Sequence, residues 1–118
     1  MNLEVELKRR TRRFAGDVLR FVRRLPRDQV SDVIAKQLIR SATSIGANYR
    51  AACKARSKPD FISKLAIAEE EADETQYWFE ILYDLEMISD DEFRSLHHEA
   101  SELTAILTSS GRTAKQSV

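Results

Sequence analysis

Apolar residues recur along this chain at intervals of three, four and seven, the spacing that lines one face of an α-helix. The first stripe, Leu3, Leu7, Phe14, Val18, Phe21 and Leu25, predicts a helix over about 2–25 that Pro26 stops. A cap at Asp28 or Ser31 opens a second helix over about 30–56, with Ile34, Leu38, Ser41, Ile45, Asn48, Tyr49 and Ala52 inward. This helix is unusually small-sided. Ser41, Ala42, Ser44, Gly46, Ala47, Ala51 and Ala52 would let a neighbouring helix approach closely, and Gly46, which costs about 1 kcal/mol relative to Ala in mid-helix, asks for a packing reason. Asn48 is the one amide on that face, and it either finds a partner across the bundle or on nearby backbone or faces a functional cleft.

Ser57-Lys58-Pro59-Asp60 has the form of a helix start, with Ser57 at the N-cap and Pro59 in the first turn. The helix it opens, over about 58–88, has the stripe Phe61, Leu65, Ala68, Ala72, Thr75, Phe79 and Tyr83. From Tyr77 to Ile88 it is apolar nearly all round, and Trp78, Ile81 and Leu85 point away from the Phe79–Tyr83 direction. Together with Tyr77 they predict a subunit interface and hence a homo-oligomer. Ser89 and Glu92 form a capping box for a fourth helix over about 90–110, with Phe93, Leu96, Ala100, Leu103 and Leu107 inward and Gly111 as its stop. Residues 112–118 read as a flexible C-terminal tail. Four amphipathic helices with short links predict an all-α fold, an antiparallel up-down four-helix bundle forming one domain over 1–111.

Composition agrees: three Gly and two Pro leave few places to turn, and 118 residues hold one core but no separate catalytic domain. Charge is more informative. The net charge is zero, yet residues 1–58 hold fifteen Lys/Arg against five Asp/Glu, an excess of ten, and residues 59–118 hold four against fourteen, the opposite excess. On helix one Arg9, Arg12, Arg13, Arg20, Arg23 and Arg24 fall opposite the apolar stripe, and on helix two Lys36, Arg40, Arg50 and Lys54 occupy the reverse face. Cations at repeated spacing can contact successive phosphates and release condensed counterions, which points to nucleic acid, RNA or DNA, as a partner. The rival reading docks the basic helices of one subunit against the acidic helices of its neighbour, so that the charges serve assembly.

Other chemistry is thin. The acidic run Glu69-Glu70-Glu71-x-Asp73-Glu74 lacks the Glu-x-x-His pairs of a bundle di-iron site, and His98 with Glu102 is only a weak i, i+4 pair, so no metal is expected. Gly-rich phosphate loops, nucleophile elbows and Ser/His/Asp arrangements are missing, which argues against an enzyme and against a cofactor. Cys53 stands alone, and residues 1–25 hold seven arginines and no continuous apolar run. The expected setting is therefore the cytoplasm, with no membrane partner.

The string Gln37-Leu38-Ile39-Arg40-Ser41-Ala42-Thr43-Ser44-Ile45-Gly46-Ala47-Asn48-Tyr49, continued through Ser57-Lys58-Pro59-Asp60-Phe61 and Glu74-Thr75-Gln76-Tyr77-Trp78-Phe79, resembles a bacterial four-helix-bundle family. That family is named for proteins encoded in intervening sequences of 23S rRNA genes, and the likeness covers about residues 10–108. The resemblance implies a homopentamer and no enzymatic activity. It also implies a relationship to the accessory variability protein of diversity-generating retroelements, a pentameric barrel with a basic surface, and so a reverse transcriptase or a ribosomal component as a further candidate partner. Many members of the family have Pro where Gly46 stands.

Overall fold

The computed structural model describes residues 2–117, which form α1 (Leu3–Val22), α2 (Gln29–Cys53), α3 (Lys58–Asp84) and α4 (Asp90–Gln116). Each helix begins at a polar side chain that accepts an otherwise orphaned N–H: Asn2 from Val5, Asp28 from Ser31, Ser57 from Asp60 and Ser89 from Glu92. Of the two candidate caps for α2, Asp28 holds the position, and its carboxyl lies below the usual range because it accepts backbone N–H of Ser31. At Ser89 only half of the expected box forms, since the Glu92 carboxylate turns to Arg24 instead.

The helices pack as a four-helix bundle of 49 × 24 × 21 Å, with α1 beside α2, α2 beside α3 and α3 beside α4, and a looser seam between α1 and α4. Cross-helix pairs give the directions. Gln76 meets Thr104 and Glu80 meets His97, while Arg10 meets Glu99 and Glu102 and Arg24 meets Glu92, so α4 runs against both α3 and α1. The core is formed by Leu7, Phe14, Val18, Phe21, Leu38, Ile45, Leu65, Phe79, Leu82, Leu103 and Leu107, all nearly or fully buried. Each large side chain of this kind stabilises the fold by about 1.5–3 kcal/mol through burial. Two core polar groups satisfy one another: the Thr75 hydroxyl donates to Ser41 Oγ at 2.9 Å across the α2/α3 seam. Asn48 is half-buried and donates to the Ser44 carbonyl of its own helix at 2.9 Å.

The helix ends depart from the sequence expectations. Helix α1 gives way at Val22 to a turn in which Arg24 and Leu25 donate to Phe21 and Val22, because the residue before Pro26 disfavours helical backbone. Helix α2 tightens at Lys54 and Ala55 into three-residue bonds, short of the expected end at 56. Helix α3 stops at Asp84 rather than near 88, with Glu86 in the left-handed region (φ 58) and Met87 N–H returning to the Leu82 carbonyl, a Schellman closure without glycine. Helix α4 corrects the expected stop and tail: it runs through Gly111 to Gln116. A glycine stop needs positive φ, and Gly111 does not have it. Two stripe positions are also reassigned. Leu3 and Tyr83 are exposed, while Thr11 and Leu82 are buried in their stead.

Candidate nucleic-acid interface

The small residues of α2 meet a small stretch of α1. A Cβ placed at Gly46 would lie 2.9 Å from Thr11 Oγ1 and 3.2 Å from Thr11 Cβ, so the two helices come together at this point more closely than a side chain permits. Thr11 cannot step aside, because it is buried and its hydroxyl donates to the Leu7 carbonyl at 2.8 Å. Above this contact lies an open groove of about 960 Å³ floored by Ala15, Gly16, Thr43, Gly46 and Ala47. Its walls hold Lys8, Arg9, Arg12, Arg13 and Arg20 from α1 and Arg50 and Lys54 from α2, and no carboxylate among the described residues lines it.

These cations differ in what they already hold. Lys8, Arg9 and Arg20 pair with Glu4, Glu6 and Asp17 of their own helix at 3.0, 2.8 and 2.6 Å. Such exposed pairs are worth about 0.3–0.5 kcal/mol each and yield readily to a polyanion. Arg12, Arg13, Arg50 and Lys54 have no ion-pair partner among the described residues. Six of the ten basic residues picked out by the sequence stripes therefore share a surface of one sign: Arg9, Arg12, Arg13, Arg20, Arg50 and Lys54 line the groove, whereas Arg23 and Lys36 are exposed outside it. Lys8 is the wall residue the stripes missed, because it sits on the flank of α1 that only the presence of α2 turns into a wall.

Arg24 and Arg40 do not belong to the groove. Arg40 reaches across the α2/α3 seam to Glu71 at 2.8 Å and to Glu74, and Arg24 reaches Glu92 of α4. Both guanidinium groups are held further toward the charged form by these carboxylates, Glu74 first for Arg40. Arg10, outside the stripes, forks onto Glu99 and Glu102 of α4 at 2.6 and 2.9 Å. Glu74 is pushed up by burial, but the Trp78 indole N–H and Arg40 outweigh this and hold it below its ordinary range. Part of the opposed charge of the two halves is thus neutralised within the chain itself, across the α1/α4 and α2/α3 seams.

A second surface lies on the α2/α3 side. Tyr77 and Leu85 are half exposed, while Trp78 and Ile81 are half-buried against the core. The Ser41–Thr75 register places Val33 and Val30 of α2, both more than half exposed, beside this end of α3. Those two valines were not apparent from the α2 stripe, because they lie outside its inward face. His98 Nε2 stands 3.4 Å from Glu102, and no group of three or more potential ligands for a metal gathers among the described residues. No helix there is long and apolar enough to cross a membrane.

The model of the family described as 23S rRNA-intervening sequence protein matches residues 3–109. A crystal structure of a protein of unknown function from the S23 ribosomal protein family of Bacteroides thetaiotaomicron is 38% identical, covers 92% of this chain and 97% of its own, and superposes with a TM-score of 0.86. No curated protein matches the chain.

Proposed function

Because this chain belongs to the 23S rRNA-intervening sequence protein family, we propose that it is a non-enzymatic, cytoplasmic, homo-oligomeric protein that binds nucleic acid, RNA in the first instance, through the α1/α2 groove. The observation that supports this most is the groove lining: seven cations, four of them without an ion-pair partner among the described residues, and no carboxylate. Phosphates entering such a groove displace condensed counterions and at most three weak local pairs. The substitutions that test it are Arg12→Ala, Arg13→Ala and Arg50→Ala made together, since these exposed side chains have no ion-pair partner to lose among the described residues. Binding of a labelled RNA should fall linearly in log affinity with log salt, and the triple variant should weaken it for every sequence alike and flatten the slope by roughly two to three. A wild-type protein that ignores RNA and DNA at low salt overturns the proposal.

A second reading, assembly alone, draws support from the apolar surface of Tyr77, Trp78, Ile81 and Leu85 beside Val30 and Val33. It assigns that surface to the contact between subunits of a homo-oligomer, a pentamer by the family resemblance. The two readings are compatible, because the groove and the apolar surface occupy different helix pairs. If the groove cations served assembly, the triple variant would change the particle mass in the absence of nucleic acid; under the binding proposal the mass stays the same.

A further inference from the structure

We propose that the groove takes the backbone of a double-helical nucleic acid in preference to a single strand, an inference that rests on the nucleic-acid reading above. Proteins that hold single strands combine a cationic track with aromatic rings on which successive bases stack, and the rings supply much of the affinity. Here the track is present and the rings are absent. The chain has five Phe, three Tyr and one Trp, and none of them lines the groove. Phe14, Phe21, Tyr49 and Phe79 are buried in the core. Tyr77 and Tyr83, the exposed ones, stand on α3 among Asp73, Glu80 and Asp84, where phosphate is repelled.

The floor allows nothing else to replace a ring. Ala15, Gly16, Gly46 and Ala47 present methyl groups and backbone, and the Thr43 hydroxyl is already given to the Ile39 carbonyl at 2.7 Å. The closeness of Gly46 to Thr11 forbids a larger residue at the deepest point without moving α1. What the surface recognises is therefore charge density along a rigid line. From Lys8 to Arg20 the wall of α1 spans about 18 Å at 1.5 Å per residue. A B-form duplex presents one phosphate per about 1.7 Å of axis with both strands counted, against about 3.4 Å along either strand by itself, so pairing roughly doubles the charge density that reaches the same wall. Its backbone is also already ordered, whereas a flexible strand must be straightened against a groove that offers its bases no aromatic ring.

The test is fluorescence anisotropy of the full chain with a labelled RNA duplex of about 20 base pairs and with each of its strands alone, the sequences chosen to have no internal pairing. The duplex should bind at least about tenfold more tightly than either strand at the same low salt, and a second duplex of unrelated sequence should match the first within about twofold. Strands that bind as tightly as the duplex, or more tightly, overturn this inference and leave the nucleic-acid reading standing. A tenfold difference between the two duplexes overturns it as well, since bases would then be read. If neither duplex nor strand binds, both the inference and the reading beneath it fail.

Discussion

Replacing Gly46 by alanine tests whether α1 and α2 are locked together under the groove. In an exposed helix the change would stabilise by about 1 kcal/mol through propensity. At this position the new methyl group meets Thr11 Oγ1 at 2.9 Å and Cβ at 3.2 Å, with the Thr11 carbonyl carbon behind them at 3.6 Å. Thr11 is β-branched, 1% exposed and bonded to the Leu7 carbonyl, so it cannot rotate out of the way. Overpacking of this kind costs about 1–3 kcal/mol, which reverses the propensity gain and leaves Gly46→Ala destabilising by about 1 kcal/mol. Thr11→Ala alone should cost about 1–2 kcal/mol in lost contacts and hydrogen bonding. In that background the methyl at position 46 enters vacated space, and Gly46→Ala should stabilise by about 1 kcal/mol. The cycle thus predicts a coupling of about 2 kcal/mol and a change of sign, read as about 8 °C in Tm for a chain of this size. Thermal or urea unfolding followed by circular dichroism, at one fixed protein concentration so that any self-association is held constant, measures it. If Gly46→Ala stabilises the wild type by the full propensity increment and the coupling is below about 0.5 kcal/mol, the close approach of α1 and α2 is refuted.

Three further substitutions probe other parts of the fold. Glu86 holds a left-handed backbone (φ 58), so Glu86→Gly should stabilise by about 0.5–1 kcal/mol in the same unfolding assay, and any loss of stability would show that the side chain matters more than the strain. Glu74 titrates below its ordinary value of 4.5 in the fold, so its contribution is complete above that pH and is lost as pH falls through the lower folded value. The stability advantage of the wild type over Glu74→Gln should accordingly be full at neutral pH and shrink below about pH 4.5; an advantage constant from pH 7 to 3 contradicts the assignment. Leu85→Glu places a charge on the half-exposed apolar surface of α3, and under the proposed homo-oligomer sedimentation should report a smaller particle with unchanged helicity, whereas an unchanged mass removes this surface from the proposed contact.

Much of the fold was legible because a helix is a local object. The stripe Leu7, Phe14, Val18 and Phe21, the caps at Ser57 and Ser89, and the demand that Gly46 have a packing reason all follow from residues within a few turns of one another. Helix ends were less legible, since a glycine stops a helix only if its φ turns positive, and Gly111 stays helical. Nor could the stripes separate Arg12 from Arg40. Both sit on the polar face of a basic helix, yet one stands free in the groove and the other is held by Glu71 and Glu74, more than thirty positions away in the chain.

Local periodicity and composition dictate four amphipathic helices, the apolar face of each and an excess of ten positive charges in one half against ten negative in the other. Which helices lie side by side was decided only in three dimensions. That adjacency brings Arg10, Arg24 and Arg40 to the carboxylates of α3 and α4 and leaves Arg12, Arg13, Arg50 and Lys54 around the α1/α2 groove. The physical reason is range: helical periodicity is set by neighbours three and four residues apart, whereas charge is neutralised by whatever the packed core places within about 4 Å, at any separation along the chain.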